Sequence, residues 1–99
     1  MTWFVTTSQS AEEDIQDAAE WYEARSGGLG DRLVDDARAL QSRMARNPMQ
    51  FASVYRDARK AALRRFPYLL IFRVFGDEVR IVGCFHNRRD PRRWRSRID

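Results

Sequence analysis

Residues 69–85, LLIFRVFGDEVRIVGCF, contain two strands and the turn that joins them. Leu69–Phe75 is strongly apolar, with Arg73 as its single charged residue, which is typical of a central strand of a sheet. Gly76-Asp77 is a hairpin signal, and residues 79–86 alternate after it. Alternation places two sets on opposite faces: Val79, Ile81, Gly83 and Phe85 on one, and Arg80, Val82, Cys84 and His86 on the other. We therefore expect this hairpin at the centre of a β-sheet.

Two amphipathic helices are expected between residues 10 and 47. The first begins with a capping box at Ser10–Glu13 and ends near Gly27-Gly28, and the second runs from Gly30-Asp31 to Asn47-Pro48. Each carries apolar residues at spacings of three and four: Ala11, Ile15, Ala18 and Tyr22 in the first, and Leu33, Ala37, Leu40 and Met44 in the second. The short connection between them predicts an antiparallel helical hairpin.

The remaining segments complete an α+β domain. Strands are predicted at Trp3–Ser8 and Lys60–Phe66. Residues 49–57 are predicted to connect the second helix to the later strand. Asp90-Pro91 opens a short terminal helix that extends through Arg97. The fold class is therefore α+β over residues 1–99, as a single domain. An N-terminal strand precedes an antiparallel helical hairpin packed on an antiparallel β-sheet, and a short C-terminal helix follows a three-stranded meander.

Charge divides the chain into two unlike halves. Residues 1–50 hold nine acids against five arginines, whereas residues 51–99 hold five acids against thirteen basic residues, and the whole chain has a net charge of +4. This gradient predicts an anionic partner for the C-terminal half. A hydrophobic fraction of 43% argues against disorder. We expect no membrane span, secretory signal, metal site or cofactor, and the single cysteine, Cys84, suits a reduced, cytoplasmic setting as a small buried hydrophobe.

Four motifs occur in a characteristic order and together cover almost the whole chain. They are WYE at 21–23 ahead of GLGDR at 28–32, LRRFPY at 63–68, IFRV at 71–74 and HNRRDPRRW at 86–94. This pattern resembles the RelE/ParE toxin superfamily of bacterial toxin–antitoxin systems. The resemblance implies a small toxin that a cognate antitoxin protein neutralises by covering its surface.

The superfamily has two modes of action, and the resemblance favours the ParE-like one. RelE-like members cut mRNA in the ribosome without a metal, and they usually carry a basic residue at the entrance of the central strand. Here Leu69 occupies that place. Several RelE-like members also end with a tyrosine near the active site, whereas no tyrosine follows Tyr68 in this chain. The ParE-like interpretation implies inhibition of DNA gyrase. Two alternatives stay open: a ribosome-dependent mRNA endonuclease, which would be an enzyme, and a non-toxic basic binding module.

The endonuclease alternative needs a proton acceptor and cations around the developing phosphorane. The single histidine, His86, suits the first role, and arginines near it suit the second. The candidate catalytic residues are His86, Arg64, Arg65, Arg73 and Arg88. In the structural interpretation, His86 instead closes the sheet edge by hydrogen bonding its ring to the following turn.

The densest run of positive charge is the C-terminal tail, residues 88–97. The planar guanidinium group of arginine favours recognition of carboxylate or phosphate. The candidate residues for binding the antitoxin or the target are Arg88, Arg89, Arg92, Arg93, Arg95, Arg97 and Trp21. Trp94 is expected to anchor the tail to the core. Trp21 lies on a helix side with Asp14 and Asp17, away from the apolar stripe, so it is expected to be exposed. The expected partners are therefore the antitoxin and DNA gyrase, or alternatively the ribosome and mRNA. For the free protein, the sequence is compatible with a monomer and with a homodimer.

Overall fold

The computed structural model describes residues 2–99, in which helices cover both faces of a five-stranded sheet. The strands are β1 (Phe4–Thr7), β2 (Ala52–Tyr55), β3 (Ala58–Ala62), β4 (Tyr68–Phe75) and β5 (Glu78–His86). The helices are α1 (Gln9–Glu23), α2 (Leu29–Arg46) and α3 (Arg92–Ile98), with a 3-10 turn at Pro48–Gln50. The α+β class, the helical hairpin and the short terminal helix are confirmed.

The sheet has the order β1-β5-β4-β3-β2, so β4 is the central strand, as its apolar sequence predicts. Strands β2 to β5 form an antiparallel meander, one strand longer than expected. Strand β1 pairs with β5 on the side away from β4 and runs parallel to it, with Val5 opposite Val79 and Thr7 opposite Ile81. The sheet is therefore mixed, because the connection from β1 runs through both helices before the chain returns.

A β-bulge in β5 overturns the predicted division of that strand into two faces. Ile71 pairs with Gly83 whereas Phe72 pairs with Ile81, which leaves Val82 as an extra residue. The extra residue reverses the alternation beyond it. Cys84 therefore joins the core beneath the helical hairpin, while Val82 packs with residues on the opposite face.

Two element boundaries differ from expectation for local reasons. Ser8, not Ser10, caps α1, since its hydroxyl accepts the N–H of Ala11 at 3.1 Å. Strand β3 ends at Ala62 rather than Phe66, because the following turn is held by the carboxylate of Asp36 on α2.

The main core lies between the helical hairpin and one face of the sheet. Its fully buried side chains include Leu33, Leu40, Met44, Leu70, Phe72 and Ile81. Within the hairpin the two helices approach closely at Gly30, where an added Cβ would lie 2.7 Å from the carbonyl oxygen of Ala19. A smaller core on the opposite face holds Trp94, which is 7% exposed and confirmed as an anchor, together with Ile98 and Ile71.

Candidate functional site

A cleft of about 550 Å³ lies where α1, the end of β5 and the arginine-rich tail meet. Helix α1 forms one wall, and the tail forms the other. The floor is made by the last residues of β5 and the aromatic rings beside them. The lining residues are Asp14, Asp17, Ala18, Trp21, Tyr22, Tyr68, Cys84, Phe85, His86, Arg89, Arg93 and Arg97.

The α1 wall follows from helical spacing. Asp14, Asp17 and Trp21 lie three and four residues apart, so they share one face of α1. Trp21 is 49% exposed, as predicted, and the guanidinium carbon of Arg25 lies 3.2 Å from its ring centroid. This cation–π contact holds the indole at the rim of the cleft.

Asp14 connects three elements beneath the cleft. Its carboxylate accepts the backbone N–H of Cys84 on β5 at 3.0 Å. It also accepts two bonds from the guanidinium of Arg97 on α3, at 2.5 and 3.1 Å. Arg97 in turn donates to the carbonyl oxygen of Val82 in the bulge at 3.1 Å. The Asp14–Arg97 pair therefore joins α3 to both α1 and β5.

His86 lies at the end of β5, and its ring is engaged with the turn that follows. Its Nδ1 accepts the N–H of Arg88 at 3.1 Å, and its backbone carbonyl accepts the N–H of Arg89 at 2.9 Å. The ring of Tyr68, opposite it on β4, meets it edge to face with centroids 5.2 Å apart. The contact with the turn is the one that the structural interpretation of His86 predicts.

The tail wall brings together three of the predicted arginines. Arg89, Arg93 and Arg97 line the cleft with His86. Arg97 is neutralised by Asp14, whereas neither Arg89 nor Arg93 forms an ion pair within residues 2–99. The cleft therefore holds two arginines without an ion-pair partner within residues 2–99, together with the carboxylate of Asp17.

The other three predicted tail arginines do not line the cleft. Arg88 is exposed beyond the His86 turn. Arg92 pairs with Asp90 at 2.6 Å, and its side-chain and backbone hydrogen bonds lower the pKa of the Asp90 carboxyl to about 2. The guanidinium of Arg95 lies over the ring of Tyr55, 5.1 Å from its centroid.

Three predicted catalytic arginines are not brought to His86. The N–H groups of Arg64 and Arg65 donate to the two carboxylate oxygens of Asp36, at 3.1 and 2.8 Å, and neither residue lines the cleft. Arg73 lies five residues along β4 from the strand position opposite His86, about 17 Å away at the usual rise. Its guanidinium is 3.0 Å from the carboxylate of Asp57.

Cys84 is on the floor of the cleft, and its burial is confirmed at 5% exposure. Burial, with a smaller contribution from the charge of Asp14, raises the pKa of the thiol to about 12. The thiol is therefore protonated at neutral pH and is not an activated nucleophile.

Sequence reasoning missed the two tyrosines of the cleft floor and the structural role of Asp14. The rings of Tyr22 and Tyr68 lie edge to face with centroids 6.2 Å apart, and burial raises the pKa of Tyr68. The helical spacing of Asp14 and Trp21 identified their shared face, but nothing local identified Arg97 as the partner of Asp14.

The described part of the chain has neither a cluster of metal-binding side chains nor a helix that could span a membrane. Residues 2–99 contain no group of three or more histidine, cysteine or acidic side chains placed to hold a metal ion. None of the helices among them is long and apolar enough to cross a membrane.

Comparison with known proteins identifies the family. Residues 5–91 match the family model of the ParE toxin of the type II toxin–antitoxin system parDE. A solved structure from the chromosomal ParDE system of P. aeruginosa has the same fold, with a TM-score of 0.75 and 22% sequence identity over 85% of this chain and 95% of that one. A comparison with curated proteins gives no significant match. Since the family model covers most of the chain, this protein belongs to the ParE toxin family of type II toxin–antitoxin systems.

Proposed function

We propose that this protein inhibits DNA gyrase by binding to it in the cytoplasm, and that a cognate antitoxin neutralises it. Membership of the ParE family supports this mode of action. The observation that carries the proposal is that the His86 ring is engaged with its own turn, through the N–H of Arg88, while Arg73 lies about 17 Å away along the sheet. A binding protein does not require these two groups to converge, whereas a nuclease centre built on them does.

The hydrogen bonding of His86 and the protonation of its neighbour Cys84 also favour a binding protein over a nuclease. Its Nδ1 is occupied by the N–H of Arg88, and the neighbouring thiol of Cys84 is protonated at neutral pH. Arg64 and Arg65 are attached through their backbone to Asp36 on α2, outside the cleft. What the cleft offers instead is an exposed tryptophan and arginines, which are the residue types that dominate binding energy at protein interfaces.

One observation supports the endonuclease alternative. His86 shares the cleft with Arg89 and Arg93, and both arginines are free of ion pairs within residues 2–99. The two cations have the chemistry needed to stabilise a phosphorane, and the imidazole can receive a 2′-hydroxyl proton once its Nδ1 releases the N–H of Arg88. In this alternative Arg89 and Arg93, rather than Arg64, Arg65 and Arg73, supply the positive charge.

A paired assay on the purified protein separates the proposals. DNA supercoiling by gyrase should be inhibited, while mRNA on translating ribosomes should remain intact. Cleaved mRNA with normal supercoiling would support the endonuclease. Neither effect, together with harmless overexpression, would support the non-toxic binding module.

The variant His86→Gln sharpens this assay, with His86→Ala beside it. Glutamine retains an acceptor for the N–H of Arg88 but removes a titratable base. A nuclease should lose cleavage in both variants, whereas gyrase inhibition should survive at least in His86→Gln. Circular dichroism and thermal unfolding would show that both variants fold.

A further inference from the structure

Two turns meet at one end of the sheet, outside the cleft. The first, residues 63–67, leads into β4, and the second, residues 87–90, follows β5. The N–H of Asn87 donates to the C=O of Pro67 at 2.8 Å, so a hydrogen bond joins the two turns directly. The turns carry three exposed arginines that do not line the cleft, which we call the basic cluster: Arg64, Arg65 and Arg88.

The backbone of the basic cluster is fixed by side chains of neighbouring elements. The N–H groups of Arg64 and Arg65 donate to the carboxylate of Asp36 on α2, at 3.1 and 2.8 Å. The N–H of Arg88 donates to Nδ1 of His86 at 3.1 Å. These bonds use only backbone groups of the arginines, so the turns are held in place while the guanidinium groups stay available to a ligand.

The guanidinium groups of the basic cluster have no partner within residues 2–99. None of them forms an ion pair or a side-chain hydrogen bond. Asp90, at the end of the second turn, is paired with Arg92 at 2.6 Å. The carboxylate of Asp36 is directed to backbone N–H groups rather than to a guanidinium. The basic cluster therefore presents positive charge that the fold itself does not use.

The basic cluster lacks the apolar centre of a protein interface. The exposed large apolar side chains among residues 2–99 all lie outside the two turns. Leu63 and Phe66, in the first turn, are buried, with 6% and 9% of their surface exposed. Protein interfaces are built on a buried apolar core with a polar border. Arginines without such a core suit phosphate groups instead, which the planar guanidinium binds through paired hydrogen bonds.

The side chains of the two turns favour a duplex over a single strand. Proteins that bind single-stranded nucleic acid stack its bases on exposed aromatic rings. The aromatic ring of the first turn, that of Phe66, instead packs edge to face on Tyr22 with centroids 4.8 Å apart. Phosphate contacts to a duplex need no stacking and read no sequence. A DNA duplex carries one negative charge per about 1.7 Å of its axis, so several phosphates lie within the span of two adjoining turns.

We propose that the basic cluster binds the phosphate backbone of duplex DNA, at the DNA segment that gyrase holds. The protein then contacts the enzyme and its DNA substrate at the same time. This inference rests on the proposed inhibition of gyrase, and it assigns a DNA contact to a surface separate from the cleft.

Fluorescence anisotropy of a short labelled DNA duplex, titrated with the purified protein, tests the contact without gyrase. The logarithm of the binding constant should fall with the logarithm of the salt concentration, with a slope of about −0.9 for each phosphate contacted. The double variant Arg65→Gln with Arg88→Gln removes one arginine from each turn. It should bind at least roughly tenfold more weakly at about 0.05 M salt, and its slope should be shallower by about two.

The matched control is Arg38→Gln with Arg46→Gln, which removes two exposed arginines of α2 and changes the net charge equally. Its effect on DNA affinity should stay below about threefold. Equal weakening by both double variants would show that net charge governs affinity and would overturn the proposal. A folded wild-type protein that does not bind the duplex at about 0.05 M salt would also overturn it. Tighter binding of a single-stranded RNA of the same length, lost in Arg65→Gln with Arg88→Gln, would overturn the choice of DNA.

Supercoiling and antitoxin-binding assays separate this inference from the proposed function. The variant Arg65→Gln with Arg88→Gln should need at least roughly fivefold more protein than wild type for half-maximal inhibition of gyrase, and its antitoxin affinity should change less than about threefold. Inhibition at the wild-type concentration would overturn the DNA contact while leaving gyrase inhibition intact. A wild-type protein that binds the duplex through the basic cluster but leaves supercoiling unaffected would support the DNA contact and contradict the proposed function. A loss of antitoxin affinity as large as the loss of DNA affinity would assign the basic cluster to the antitoxin and overturn the inference.

Discussion

The guanidinium of Arg97 binds the carboxylate of Asp14 through two hydrogen bonds, of 2.5 and 3.1 Å, although 83 residues separate them in the chain. The pair is partly shielded, with 30% of the Arg97 side chain and 19% of the Asp14 side chain exposed. It secures the terminal helix against α1 and leaves the cleft open above it. The cleft therefore depends on a contact between the acidic and the basic half of the chain.

Asp14→Asn should destabilise the protein by about 1–3 kcal/mol, because a charged acceptor of bonds from Arg97 and Cys84 is lost. Urea unfolding followed by circular dichroism measures this change. Asp17→Asn is the matched control, since Asp17 lines the same cleft without a hydrogen bond or ion pair from its side chain within residues 2–99. Equal stabilities of the two variants would refute the role assigned to Asp14.

Gly30→Ala should destabilise the helical hairpin by about 1–3 kcal/mol. The new Cβ would lie 2.7 Å from the backbone carbonyl oxygen of Ala19, so one helix must shift. Gly27→Ala serves as the control, because its Cβ would meet only the Glu23 side chain at 3.8 Å, an ordinary contact. Thermal unfolding of both variants checks the prediction, and a Gly30→Ala protein as stable as Gly27→Ala would contradict it.

The contribution of Glu23 to stability should be lost at acid pH. The N–H groups of Gly28 and Gly30 donate to its carboxylate, and these bonds lower its pKa below the usual value of 4.5. A carboxyl group with a lowered folded-state pKa stabilises the fold above its unfolded-state pKa, and this stabilisation disappears as the pH falls through the folded-state value. The difference in unfolding free energy between wild type and Glu23→Gln should therefore be full at pH 7 and shrink below about pH 4.5. A difference that is constant from pH 7 to pH 2.5 would be inconsistent with stabilisation by the hydrogen bonds to the charged Glu23 carboxylate.

Association with an acidic antitoxin should slow as salt increases, because exposed charges accelerate encounter and salt screens them. Raising the ionic strength from about 0.05 to 0.5 M should lower the association rate constant by roughly tenfold or more. Stopped-flow tryptophan fluorescence provides a signal for the encounter, because Trp21, one of the three tryptophans, lies at the rim of the cleft. Association kinetics that do not change with salt would remove the electrostatic part of the account.

Local patterns predicted the elements of the fold but not all of the pairing between them. The two helices follow from their apolar periodicity, and the central position of β4 follows from its strongly apolar sequence. The parallel pairing of β1 with β5 joins segments about 74 residues apart, with Val5 opposite Val79, and no short-range signal encodes it. The bulge at Val82 is equally invisible, because it depends on how β4 and β5 pair.

The candidate site was predictable in its residue types more than in its grouping. The sequence predicts Arg89, Arg93, Arg97 and Trp21 as candidate binding residues, and all four line one cleft. Arg73 was grouped with His86 because both belong to adjacent strands, but strand register places them far apart along the sheet. Register is set by non-local packing and turn geometry, so spacing along the chain does not determine which side chains of neighbouring strands converge.

Supercoiling of relaxed plasmid DNA by gyrase, measured in the presence of the purified protein, tests whether this ParE-family protein acts by binding gyrase, as we propose. We predict that the wild-type protein inhibits supercoiling in a dose-dependent manner, that His86→Gln inhibits it equally, and that excess antitoxin restores it. Undiminished supercoiling at a molar excess of folded protein would contradict the account.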